Sequence, residues 1–154
     1  MLLKPSVEKI TVQNAARQPF MVVVRELVRT YQALEAADAA HLYQFGLTTS
    51  QADVIFTLGN TEGMVFKDLG ERTLITKGTL TGVVDRLQRK GLVKRKVCTQ
   101  DRRRIHVVLT AKGEKVFADI FPRHIAHLKQ YFDRLSNTDL KQGAVLLKKI
   151  RGIF

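Results

Sequence analysis

The sequence predicts a mainly α chain with one small β-hairpin, a winged helix-turn-helix with long flanking dimerisation helices. Three observations predict it: helical hydrophobic periodicity over most of the 154 residues, one switch to alternating periodicity between Leu92 and Leu109, and basic charge concentrated around that switch. Formal net charge is +12, and Lys67 to Lys115 alone holds 14 basic and 5 acidic residues, leaving only +3 elsewhere. A generally solubilising charge would be spread more evenly. Charge this local marks a face for a polyanion, nucleic acid or an anionic membrane.

Composition narrows the class. A hydrophobic share of 45% suffices for a core, and the length fits one domain with extensions used for pairing. A single cysteine, Cys98, excludes an internal disulfide framework and suits a reducing cytoplasm. The opening "MLLKPSVEKI" has no apolar core followed by a cleavage site. "FMVVV" from Phe20 is the longest apolar run, far below the roughly 20 residues of a membrane span. A cytoplasmic protein with no membrane partner is expected.

The elements follow in order. After a loose arm of about a dozen residues, Pro19 suits a first helical turn, and Phe20, Val24, Leu27, Tyr31 and Leu34 recur at spacings of four and three until Gly46 ends the helix. In "LTTSQADVIFTL", Thr48 and Gln51 stand in capping-box positions. Gly59 and Gly63 bracket a turn before a short helix near Val65 to Arg72. Thr76 caps a helix to about Lys90, with Leu80, Val83, Val84 and Leu87 inward and Gly91 as its stop. The strands are "LVKRKV" and "IHVVL", the latter with Ile105, Val107 and Leu109 on one face, joined by "CTQDRRR". Thr110 caps a long helix that Pro122 should kink, and Ser136 caps the last, where Leu140, Leu147 and Ile150 recur. The flanking helices carry more apolar surface than the central unit needs, which a second copy would bury.

The chemistry lies in the basic segment. With the stripe of "GTLTGVVDRLQRKGLV" inward, Lys77, Gly78, Thr79, Thr81, Gly82 and Arg86 lie at or near the outer face. A helix N-terminus suits phosphate, and its first side chains can reach base edges in a major groove. Each glycine costs roughly 1 kcal/mol against alanine in a helix interior, and close approach of a phosphate backbone would offset that; relief of crowding against another helix is the other explanation. Arg102, Arg103 and Arg104 sit at the hairpin turn, where a guanidinium can enter a minor groove, and Asp101 would hold one of them in place.

Other candidates are weaker. His124 and His127, three apart on a helix, could pair on a metal, but no carboxylate or cysteine shares their stripe, so they are expected at the surface or an interface. His41 and Tyr43 could line a ligand cleft or pack in the core. Cys98 beside Lys96 and the arginines could act as a thiol sensor. No nucleophile elbow, phosphate loop, zinc spacing or local triad signature is present, so neither enzyme activity nor a cofactor is expected.

From about Leu47 to the last helix, "LTTSQADVIFTL", "GTLTGVVDRLQRKGLV" and "DRRRIHVVLTAKGEKV", in this order and spacing, resemble the MarR family of bacterial transcription regulators. The resemblance implies a homodimer, paired through the first and last two helices, on double-stranded DNA at a pseudopalindromic operator. It implies a repressor responsive to a small aromatic or anionic effector. Thr79 and Thr81 match major-groove positions, and Asp101 and Arg103 match a wing D-x-R pattern in which the arginine reaches the minor groove. Cys98 and Thr99 stand where many members have Asp-Pro. The expected division is 1–46, arm and first dimerisation helix; 47–110, DNA-binding domain; 111–154, C-terminal dimerisation helices. A redox regulator acting through Cys98 and a winged helix used for protein contact remain the alternatives.

Overall fold

The computed structural model describes residues 9–73, 75–97, 101 and 104–154, and Lys77 by its backbone alone. Cys98, Arg102, Arg103 and the Lys77 side chain therefore lie outside the described residues. Contacts divide the chain into Met1–Ala37 and Asp38–Phe154. A 3-10 turn at Ala15–Arg17 precedes helices α1 (Phe20–Tyr43) and α2 (Thr49–Leu58), strand β1 (Met64–Val65), helices α3 (Phe66–Arg72) and α4 (Lys77–Arg89), strands β2 (Val93–Val97) and β3 (Ile105–Leu109), and helices α5 (Ala111–Phe132) and α6 (Asn137–Arg151).

In the first unit Asn14 Oδ1 accepts from the Thr11 amide at 2.8 Å, and Arg25 donates to the Ala16 carbonyl at 3.2 Å. Pro19 stands just before α1 rather than within its first turn. The stripe Phe20, Val24, Leu27, Tyr31 and Leu34 is present and is 40–57% exposed.

The second unit holds the core. The capping box of α2 is complete in both directions, each bond 3.2 Å long, and it starts a helix whose Val54, Ile55 and Leu58 are fully buried. They meet Leu69 of α3, the inward stripe of α4, Val93 and Val107 of the strands, and Phe117 and Ile120 of α5. Gly91 ends α4 with φ +72°, a left-handed conformation open to glycine at little cost. α5 runs through Pro122 in one element. Ser136 and Asp139 form a second capping box at α6, and the Ser136 hydroxyl and amide hold the Asp139 carboxyl below its ordinary value. No residue of α6 is buried. Among the described residues, no helix is long and apolar enough to cross a membrane.

The hairpin is part of a larger sheet than expected. β2 and β3 pair antiparallel from Val93↔Leu109 to Val97↔Ile105, while β1 adds Met64↔Val107 on the other edge, giving the order β1-β3-β2. This third strand corrects the two-stranded expectation. Val108 is buried too, whereas strict alternation would have turned it outward. Gly63 lies against it so closely that a Cβ there would come within 2.2 Å of Val108 Cγ1.

Candidate nucleic-acid interface

The outer face of α4 is built by what its inner face buries. Leu80, Val83, Val84 and Leu87 are each at most 1% exposed, which fixes the rotation of the helix about its axis. Gly78, Thr79, Thr81 and Arg86 are thereby exposed, and Gly82 is partly so, as expected. Thr76 takes the N-cap position but not the expected bond: its hydroxyl donates to Thr79 Oγ1 at 3.0 Å and accepts no amide of the first turn. The first-turn amides are thus left without a side-chain cap.

The two glycines relieve no crowding within the chain. A Cβ at Gly78 would meet nothing within 4 Å, and one at Gly82 would meet only the far end of Arg86, at 4.0 Å. Gly82→Ala should therefore stabilise the fold by up to about 1 kcal/mol, read from urea unfolding. If the missing side chain at Gly82 serves to admit a phosphate backbone, the same variant should bind DNA more weakly. Stabilisation with unaltered affinity would remove that reason for the glycine.

The wing is tied to this helix. Arg95, on β2, reaches Asp85 Oδ1 at 2.7 Å and Gln88 Oε1 at 2.8 Å, both on α4. Half-buried and doubly bonded, Arg95 holds strand and helix as one piece, and it leaves Lys94 and Lys96 on the opposite, exposed face of β2. At the tip, the Arg104 amide donates to the Asp101 carbonyl at 2.9 Å, and both residues are exposed. A groove lined by Val65, Phe66, Lys67, Asp68, Arg104 and His106 runs between the start of α3 and β3. The bond from Arg95 to Asp85 escaped the sequence reading, because a spacing of ten across a turn and a change of element has no periodic signature.

Further along, Lys90 closes the C-terminal end of α4. Its ammonium donates to the Gly46 carbonyl at 2.6 Å and to Gln51 Oε1 at 3.2 Å. Thr110 Oγ1 accepts from the Gly113 amide at 3.0 Å and donates to the Gly91 carbonyl at 2.6 Å, so α5 starts locked against the α4–β2 corner. A pocket of about 260 Å³ opens beside this joint, lined by Phe45, Leu47, Leu92, Val116 and Ile120 with Lys90 and Lys112.

His41 and Tyr43 part company. Tyr43 is 83% exposed, outside the core. His41 stacks on His127 with centroids 4.1 Å apart and an interplanar angle of 11°, and its ring lies 5.6 Å from that of His124. His124 is buried rather than at the surface, and the carboxylate missing from its own stripe comes from α1: Asp38 Oδ1 is 3.8 Å from His124 Nε2.

A model of the MarR family matches residues 45–104, which hold α2 to α4, β1, β2 and the wing tip. The HTH-type transcriptional regulator MhqR of Bacillus subtilis is 29% identical over 124 residues, 80% of this chain and 86% of that protein. Residues 45–104 of the chain thus match the MarR family. Among solved structures, the fold matches AbsC, a MarR-family transcriptional regulator from Streptomyces coelicolor, with a TM-score of 0.79 and 27% identity over 94% of this chain and 95% of that one. It also matches BpsR of Bordetella bronchiseptica, described for regulation of its DNA binding by 6-hydroxynicotinic acid, with a TM-score of 0.76 and 26% identity over 84% and 92%.

Proposed function

We propose that this chain is a MarR-family, sequence-specific double-stranded DNA-binding transcriptional regulator, a ligand-responsive repressor that binds a pseudopalindromic operator as a homodimer. The observation that carries the reading is the outer face of α4: small, polar and basic, with open space among the described residues where a Cβ at Gly78 would lie, and braced by Arg95 to a basic wing. Thr79 and Thr81 would meet base edges or a thymine methyl, with Lys77 and Arg86 on phosphates. The arginines 102 to 104 would follow the backbone into the minor groove, with Asp101 orienting Arg103. Other exposed stripes supply the pairing surface: Phe20 to Leu34 on α1 and Leu140, Leu146 and Leu147 on α6. In this reading 1–46 and 111–154 pair and 47–110 binds DNA.

An effector is supported by two features. BpsR, a relative, is regulated by a small aromatic acid. The pocket lined by Lys90 and Lys112 joins apolar walls to two basic side chains, whose ammonium groups donate to the Gly46 and Lys90 carbonyls, and its charge and apolar lining suit an aromatic anion. No observation favours a thiol sensor at Cys98 or a protein-interaction module.

The deciding experiment is selection of bound sequences from a random duplex pool by the purified protein at two salt concentrations. An inverted repeat with half-sites roughly 10 bp apart centre to centre is the expected result. Recovery of no motif, with binding that vanishes at the higher salt, would reduce the basic face to an electrostatic anchor.

A further inference from the structure

The histidine cluster of the second unit is left unused by this reading. It joins Asp38 and His41, at the end of α1, to His124 and His127 of α5, two pairs each spaced three apart. Phe56 of α2 closes one side, with its ring 5.3 Å from His124. Tyr131 of α5 meets His127 edge-on, and Phe45, just beyond α1, meets His41 likewise. Arg123 lies over the Phe45 ring at 5.6 Å. Nε2 of His41, Nδ1 of His124 and Nε2 of His127 are all buried without a hydrogen-bond partner. Among the described residues no three such side chains stand in metal-ligating geometry; the rings stack rather than converge.

We propose that this cluster is a proton-operated lock between the end of α1 and α5: neutral imidazoles hold the helices together, and their protonation separates them and lowers DNA affinity. Two imidazoles stacked at 4.1 Å attract as neutral rings and repel as cations. Asp38 is the carboxylate that favours the charged form of His41 and His124, while Arg123 is itself positive and opposes it at His41, and Tyr131, Phe45 and Phe56 carry no charge. Burial, then His127 and His124, lower the His41 pKa from 6.5 against the pull of Asp38, and Arg123 adds slightly. Burial first also lowers that of His124, with Asp38 opposing and His127 reinforcing. The sign follows: a histidine depressed in the fold binds fewer protons than in the unfolded chain. The stability it confers is complete above 6.5 and is lost as pH falls through the depressed value. The effect on DNA rests on the proposed function; the effect on stability does not.

The test compares wild type with His127→Phe, which keeps a ring in the stack but cannot charge, and with His127→Lys, which is charged throughout. Melting temperature and affinity for the selected operator are measured at pH 7.5 and 5.5 at constant ionic strength. Wild type should lose several degrees and at least tenfold in affinity on acidification. His127→Phe should lose markedly less of both, and His127→Lys should resemble acidified wild type already at pH 7.5. Equal acid losses in wild type and His127→Phe would overturn the lock. So would a zinc-induced rise in melting temperature that His127→Phe abolishes, since the cluster would then be a metal site. If no DNA is bound at any pH, the proposed function fails, and the melting temperatures alone still decide.

Discussion

Gly113→Ala is expected to cost about 2–4 kcal/mol of folding stability, a large fraction of what a domain of this size possesses. An added Cβ would lie 2.0 Å from the Leu92 carbonyl oxygen, 3.0 Å from its carbon and 3.2 Å from a Leu109 methyl. The first two are backbone atoms and cannot rotate away. The Leu92 oxygen is also the acceptor for the Thr110 amide, at 3.0 Å, and the Gly113 amide is the one capped by Thr110. Relief by shifting α5 therefore breaks the N-cap, and relief by shifting the strand disturbs the start of β2. The helix-propensity gain from alanine, at most about 1 kcal/mol, is too small to compensate. Urea denaturation at neutral pH measures the change directly. A midpoint equal to that of wild type would mean that the corner between α4, β2 and α5 is not as tightly closed as these distances require.

The second large effect is on binding. Arg103→Ala is expected to weaken operator affinity on the order of 100-fold, because the proposed two-fold symmetric complex would lose both wing contacts at once, each worth about 1–3 kcal/mol. The slope of affinity against salt should also become shallower by about one per protomer. Since the side chain is charged and its sequence neighbours are polar, the fold and the proposed dimer should survive, as unfolding and sedimentation would confirm. Arg103→Lys should recover the salt slope but only part of the affinity, because an ammonium lacks the planar fork that Asp101 can orient. Wild-type affinity in Arg103→Ala at matched salt would sink the wing assignment and leave α4 as the principal contact.

What was legible in the sequence was what local chemistry decides. Thr48 with Gln51, Thr110 and Ser136 announced three helix starts through side chains that cap within three residues, and all three caps form. Leu80, Val83, Val84 and Leu87 announced the inner face of α4, and so its outer face. Thr76 was misjudged, because an N-cap threonine can spend its hydroxyl on a neighbouring threonine, here Thr79. The features that escaped are long-range. β1 is two residues long, too short to show a period, and its partner lies more than 40 positions away. His41 and His127 are separated by 86 positions, and only the packing of two helices brings their rings together. Arg95 looked like one more basic residue of the wing until Asp85 and Gln88 were found to hold it.

The outward residues of the first turns of α4 are exposed. A Cβ at Gly78 would face open space, and one at Gly82 would meet only the tip of Arg86. Substitutions there change what the helix can touch and leave its buried stripe in place. With α4 reading the operator as proposed, a lineage carrying this chain would drift from one target sequence to another by single replacements while the stripe beneath stays as it is. Gene duplication followed by such drift would yield regulators of different genes on an unaltered scaffold.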